Sequence, residues 1–133
     1  MYIGTDTGFF VAYANGHPRA LTIWQELLNG EHTLVASTLT VHEILVYFLR
    51  RGQVPLGEEW VALLQEADHI QVIPVSVEIA ARSARHRHSL GLPSVDSILL
   101  ATFLEAQCEG MITTDGHFRI VEQQNILPVE FLI

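Results

Sequence analysis

Short apolar runs alternate along this chain with longer stretches in which apolar residues recur at helical spacing. That alternation belongs to strands joined by crossover helices, and it predicts an α/β sandwich around a mainly parallel sheet. Strands are predicted at Tyr2–Asp6, Thr33–Ser37, Ile70–Val75, Gly110–Thr113 and Leu127–Leu132. Helices are predicted at Gly8–Ala14, Pro18–Asn29, Thr38–Arg51, Gly57–Ala67, Val77–Leu90, Ser94–Gln107 and Gly116–Gln123. Gly30, Gly52 and Gly91 stand where helices stop, and Pro93 where one starts. Inward stripes are expected from Ala20, Ile23, Trp24, Leu27 and Leu28, from Val41, Leu45 and Phe48 or Leu49, and from Ile98, Leu99, Thr102 and Phe103. Ligands of such a sheet sit beyond the carboxyl ends of its strands.

At 133 residues, 49% hydrophobic and 17% charged, the chain has the length and apolar content of one compact domain, read as residues 1–133. It carries no linker, low-complexity tract or internal repeat. Cys108 is alone, so no internal disulfide forms and a reducing cytoplasm is the expected location. The opening MYIGTDTGFFVAYA lacks a basic leader region, and no apolar run reaches the roughly 18 residues that cross a bilayer. A soluble, intracellular protein without membrane contact is expected.

The formal charge of -8 argues against affinity gained by coating phosphates with cations. There is no lysine, and three of the seven arginines fall between residues 82 and 88. Arg82, Arg85 and His86 share one helix face, which reads as solvated surface, with a phosphate-binding patch as the alternative.

Three of the four aspartates, Asp6, Asp96 and Asp115, stand where a strand or turn gives way to a helix, and Glu43 occupies a similar position. Each has an ordinary explanation. Thr40 and Glu43 fit a capping box, Asp96 lies in a first helical turn, and Asp6 and Asp115 suit N-caps. Together they say more, because Asp6 and Asp115 both follow apolar strands and so belong at one edge of the sheet. Four converging carboxylates repel one another unless a cation neutralises them, and oxygen ligands select a hard ion, Mg2+ or Mn2+. Such a centre suits metal-assisted phosphodiester hydrolysis.

Asp6-Thr7 after the first strand, Ser37-Thr38 with Glu43, Leu92-Pro93 with Asp96, and Thr113-Thr114-Asp115 with Phe118 resemble, in order and spacing, the PIN-domain ribonucleases. The resemblance is strongest to the VapC toxins of toxin–antitoxin pairs and covers nearly the whole chain. It implies a three-layer α/β/α sandwich and an endoribonuclease that depends on Mg2+ or Mn2+. It further implies an RNA substrate, a cognate antitoxin and a homodimer. Carried across, Asp6 and Asp96 are the principal metal ligands, Glu43 and Asp115 complete the site directly or through water, and the Thr113 hydroxyl orients it. The chain departs from many relatives in having His117 where a further acid stands and Gly8 where a serine stands.

Other readings are weaker. His42-Glu43 opens a zinc-protease motif, but Val46 replaces its second histidine. His42 and His117 adjoin proposed ligands and are candidates for proton transfer or for plain hydrogen bonding. The aromatic residues are read as core or subunit interface, and Cys108 as an inert buried thiol. A phosphatase using Asp6 as nucleophile lacks the second acid at position 8 and a supporting lysine. A non-catalytic PIN-like module for dimerisation or partner binding is the main alternative to a nuclease.

Overall fold

A computed structural model describes residues Met1–Ile133. Strands β1 (Tyr2–Thr5), β2 (Thr33–Ser37), β3 (Ile70–Ile73), β4 (Gly110–Thr113) and β5 (Val129–Phe131) form one sheet in the order β3-β2-β1-β4-β5, with every pair parallel. The helices are α1 (Thr7–Ala14), α2 (Pro18–Leu28), α3 (Thr38–Arg50), α4 (Val54–Glu66), α5 (Val77–Leu90), α6 (Ser94–Glu105) and α7 (Arg119–Gln123), the last preceded by a 3-10 turn at Gly116–Phe118.

Side chains alternate along a strand, so neighbouring residues feed opposite layers. Leu34 and Ala36 pack with Phe9, Trp24, Phe48 and Trp60 from α1 to α4. Val35, between them, packs with Leu99, Leu100 and Phe103 of α6, and Met111 and Val129 join that layer with Phe118 and Val121. Helix α5 lies against α6. The expected three-layer α/β/α sandwich results. Gly4 permits the second layer to close on β1, because a Cβ there would lie 2.4 Å from the Phe103 ring.

The chain winds outward from β1 to β3 and then returns to lay β4 on the other side of β1. The switch point therefore falls between β1 and β4, where the two connections leave in opposite directions and open a crevice.

Several boundaries and faces differ from the sequence expectations. Strand β1 stops at Thr5 because Asp6 turns to cap α1. Helix α4 starts at Val54, ahead of Gly57, with Pro55 in its first turn, and Gly57 sits inside it where a Cβ would lie 3.1 Å from Phe48. Strand β3 ends before Pro74, and β5 keeps only Val129–Phe131 of the predicted run. Leu28 and Leu49 point outward, while Ile44 and Phe48 supply the buried face of α3, with Val41 and Leu45 half-buried beside them. Helix α6 is buried on more than a stripe, since Leu99 to Phe103 are all covered and Ile98 is only half-buried.

Candidate active site

Strands β1 and β4 run in register with Thr5 beside Ile112, so Asp6 and Thr113 emerge together at the switch point. Asp6 leaves the strand extended and becomes the N-cap of α1, its Oδ1 accepting from the Phe9 backbone N–H at 3.1 Å. Its Oδ2 accepts from the Thr113 hydroxyl. The Thr113 oxygen in turn accepts from the Asp115 backbone N–H at 2.9 Å, and Asp115 Oδ1 accepts from the His117 backbone N–H at 2.9 Å. One short segment after β4 thus fixes Thr113, Asp115 and His117 against Asp6.

The other two acids arrive on helices. Asp96 lies in the first turn of α6 and is only 9% exposed. Its Oδ2 is buried without a hydrogen-bond partner. The His117 ring approaches this oxygen, with Nδ1 at 3.3 Å from it and 3.0 Å from Asp115 Oδ1. One donor atom each from Asp96, Asp115 and His117 lie within 4.8 Å of one another, close enough to share an ion. Glu43 comes from α3, where its Oε1 accepts from the Thr7 hydroxyl at 2.8 Å, next along the chain from Asp6.

The fields of these groups overlap. Burial pushes the Asp6 carboxyl up to about 6, against the hydrogen bonds from Thr113 and Phe9, and the charges of Asp115 and Glu43 add to the rise. Burial and then the charge of Asp115 lift Asp96 to about 6, with His117 pulling the other way. Only the His117 ring, when protonated, offers these acids a positive partner, since the arginine ion pairs of the molecule lie elsewhere. Raised acids held this way are characteristic of functional sites.

Of the five residues singled out from the sequence, Asp6, Thr113 and Asp115 are joined by hydrogen bonds, Asp96 comes within ion-sharing distance of Asp115, and Glu43 stands beside Asp6 through Thr7, outside the group of donor atoms that Asp96, Asp115 and His117 bring within 4.8 Å. Three of the ordinary explanations hold at the same time, since Asp6 and Asp115 do cap the turns that follow them and Asp96 does lie in the first turn of α6. The capping box does not: Ser37 caps α3, and Glu43 reaches Thr7 instead. His117, expected from the sequence to replace an acid and to serve in proton transfer or hydrogen bonding, turns its ring onto Asp96 and Asp115. Its spacing of two residues from Asp115 is the signal that points to this. Gly8 also acquires a reason, because a Cβ there would lie 2.0 Å from the Thr114 hydroxyl, which takes the space a serine side chain would need. His42 is exposed and makes no hydrogen bond with the cluster.

The family model for the PIN domain matches residues 3–123. This chain belongs to the PIN-domain family. The PIN-domain match takes in every residue of the crevice. Solved structures carry the same fold at low identity. A toxin–antitoxin complex from Klebsiella pneumoniae aligns with TM-score 0.69 and 23% identity, covering 88% of this chain and 90% of that one. VapBC2 from Rickettsia felis, bound to a DNA fragment from its promoter, aligns with TM-score 0.75 and 15% identity over 98% of both chains. FitAcB from Neisseria gonorrhoeae aligns with TM-score 0.69 and 17% identity, covering 97% and 96%. Compared by sequence with curated proteins, the chain has no match.

Proposed function

We propose that this PIN-domain protein is a metal-dependent endoribonuclease that hydrolyses RNA phosphodiester bonds and acts as the toxin of a toxin–antitoxin pair. The observation that carries this reading is the convergence of four carboxylates with no arginine or lysine among them, two buried and one with an oxygen that nothing hydrogen-bonds. A buried, unsatisfied carboxylate oxygen is costly, and a divalent cation meets that need. The donor set fits Mg2+ or Mn2+, with Asp6 and Asp96 as principal ligands and Glu43 and Asp115 completing the shell directly or through water. His117 Nδ1 adds a nitrogen donor on the side of Asp96 and Asp115.

Bound there, the ion supplies Lewis-acid polarisation of a phosphate and a water of lowered pKa. The chain's own residues do the positioning. Thr113 fixes Oδ2 of Asp6 and ties Asp115 to it, Phe9 fixes Oδ1, and Thr7 holds Glu43 beside them.

The toxin–antitoxin complexes among the structural relatives support an antitoxin as the protein partner. A homodimer and a cytoplasmic location belong to the same proposal. No helix is long and apolar enough to cross a membrane. The test is RNA cleavage by purified protein in Mg2+ or Mn2+, with an EDTA arm. Cutting that requires the ion supports the proposal. Cutting that survives EDTA, or a protein that never binds Mn2+ saturably, contradicts it.

A further inference from the structure

The cations of this acidic protein are unevenly committed. Arg19 pairs with Glu130 and Glu26, and Arg82 with Glu78 and Glu105. Arg87 donates to the Leu92 carbonyl at 2.9 Å, and Arg119 lies over the Phe131 ring. Arg85 on α5 and Arg50 and Arg51 at the end of α3 are exposed without a carboxylate partner, and of these Arg50 and Arg51 line a groove that also contains Thr7, Glu43, Tyr47 and Val95. Glu43 and Thr7 belong to the carboxylate crevice, and Val95 adjoins Asp96. The groove therefore opens from the crevice and ends at two arginines.

Helical spacing makes this a track. Residues 43, 47, 50 and 51 are related by steps of i+4, i+7 and i+8, so they share one stripe of α3. At 1.5 Å per residue the arginines stand roughly 10–12 Å along the helix from Glu43. Arg51 is also preorganised: its guanidinium carbon lies 3.6 Å from the Tyr47 ring centroid, and its Nη1 donates to the Tyr47 carbonyl at 3.1 Å.

Resting on the nuclease reading above, we infer that this groove carries the single-stranded RNA flanking the scissile phosphate, with Arg50 and Arg51 as its backbone phosphate contacts. Phosphate is the ligand chemistry that matches two guanidinium groups without a carboxylate partner beside a proposed metal-dependent phosphodiester site. The arginines also sit at a helix C-terminus, where a cation is favoured without any ligand. The experiment separates the two roles.

The Asp6→Asn protein, chosen so that the probe stays intact, is titrated with a short fluorescein-labelled single-stranded RNA across a salt series. In that background the Arg50→Gln/Arg51→Gln change is expected to weaken binding on the order of tenfold. It should also reduce the slope of log K against log salt by roughly 0.7 per arginine. Lysine at both positions should restore much of the slope, Arg85→Gln should change neither quantity, and thermal midpoints should stay close. A merely structural role would leave the slope untouched. If the glutamine pair keeps affinity and slope while wild type still cuts RNA, this inference fails alone. If wild type neither binds nor cuts RNA, it fails together with the nuclease reading. If RNA binding persists and only binding of a poly-glutamate peptide is lost, the groove is a protein-docking site and the inference is overturned.

Discussion

The carboxylate crevice and the charged surface of α5 handle ionic groups in opposite ways. On α5, Arg82 is half exposed and pairs with Glu78 one turn before it and with Glu105 on the neighbouring helix. In the crevice, Asp6 and Asp96 are nearly covered, and no arginine pairs with them; the His117 ring reaches Asp96 and Asp115 alone. The fold readily pairs charges at its surface, so acids left unbalanced inside it reflect a requirement other than stability. In the proposed function, that requirement is the cation they await.

This contrast can be broken most sharply at Asp96. Asp96→Asn is expected to lower RNA cleavage at least about a hundredfold while making the metal-free protein more stable by roughly 1–2 kcal/mol, because a buried charge is replaced by a neutral amide of the same shape. Cleavage assays and urea denaturation in EDTA read the two effects. A loss of both activity and stability would place Asp96 among ordinary structural residues.

Metal addition approaches the same contrast from the other side. Mn2+ at a hundredfold excess over its dissociation constant is expected to stabilise wild type by about 2.7 kcal/mol, and the gain should collapse in Asp96→Asn. A thermal-shift titration with both proteins decides it.

The third prediction is a pH dependence. Burial raises Asp6 and Asp96 from 3.8 to about 6. Between those values the folded state retains protons that the unfolded chain has released, so stability from these two groups falls as pH climbs from about 4 through about 6. In EDTA, the Asp6→Asn/Asp96→Asn protein should therefore gain on wild type as pH rises across this window, read by denaturation at each pH. A constant gap would show that the two acids are not strained. The smallest effect is expected on α5, where Arg82→Ala should cost no more than about 1 kcal/mol and leave RNA cleavage unchanged.

Much of this was legible in the sequence, for identifiable reasons. Short apolar runs alternating with helix-periodic stretches exposed the layered fold, and glycines at helix ends marked the stops. The site was legible because Asp6 and Asp115 follow strands whose ends parallel pairing brings together. What escaped was set by tertiary contact. Glu43 looks like a local cap, yet its partner is Thr7 on another helix. Leu28 fits the α2 stripe but lies at its last turn, beyond the packed face. His117 reads as a substitution for an acid until the 3-10 turn aims its ring at Asp96. Val54 begins α4 ahead of Gly57 because Pro55 suits a first turn, a signal outweighed in the sequence by the glycine.

Asp6 and its three acidic neighbours are proposed to form a metal-dependent RNA-cleaving centre. The most direct test is RNA cleavage by wild type and Asp6→Asn side by side in Mn2+, since the amide can still accept from the Phe9 N–H and keep the cap. Wild type is expected to cut RNA until EDTA is added, and a folded Asp6→Asn protein is expected not to cut. Equal cutting by both proteins would contradict that proposal.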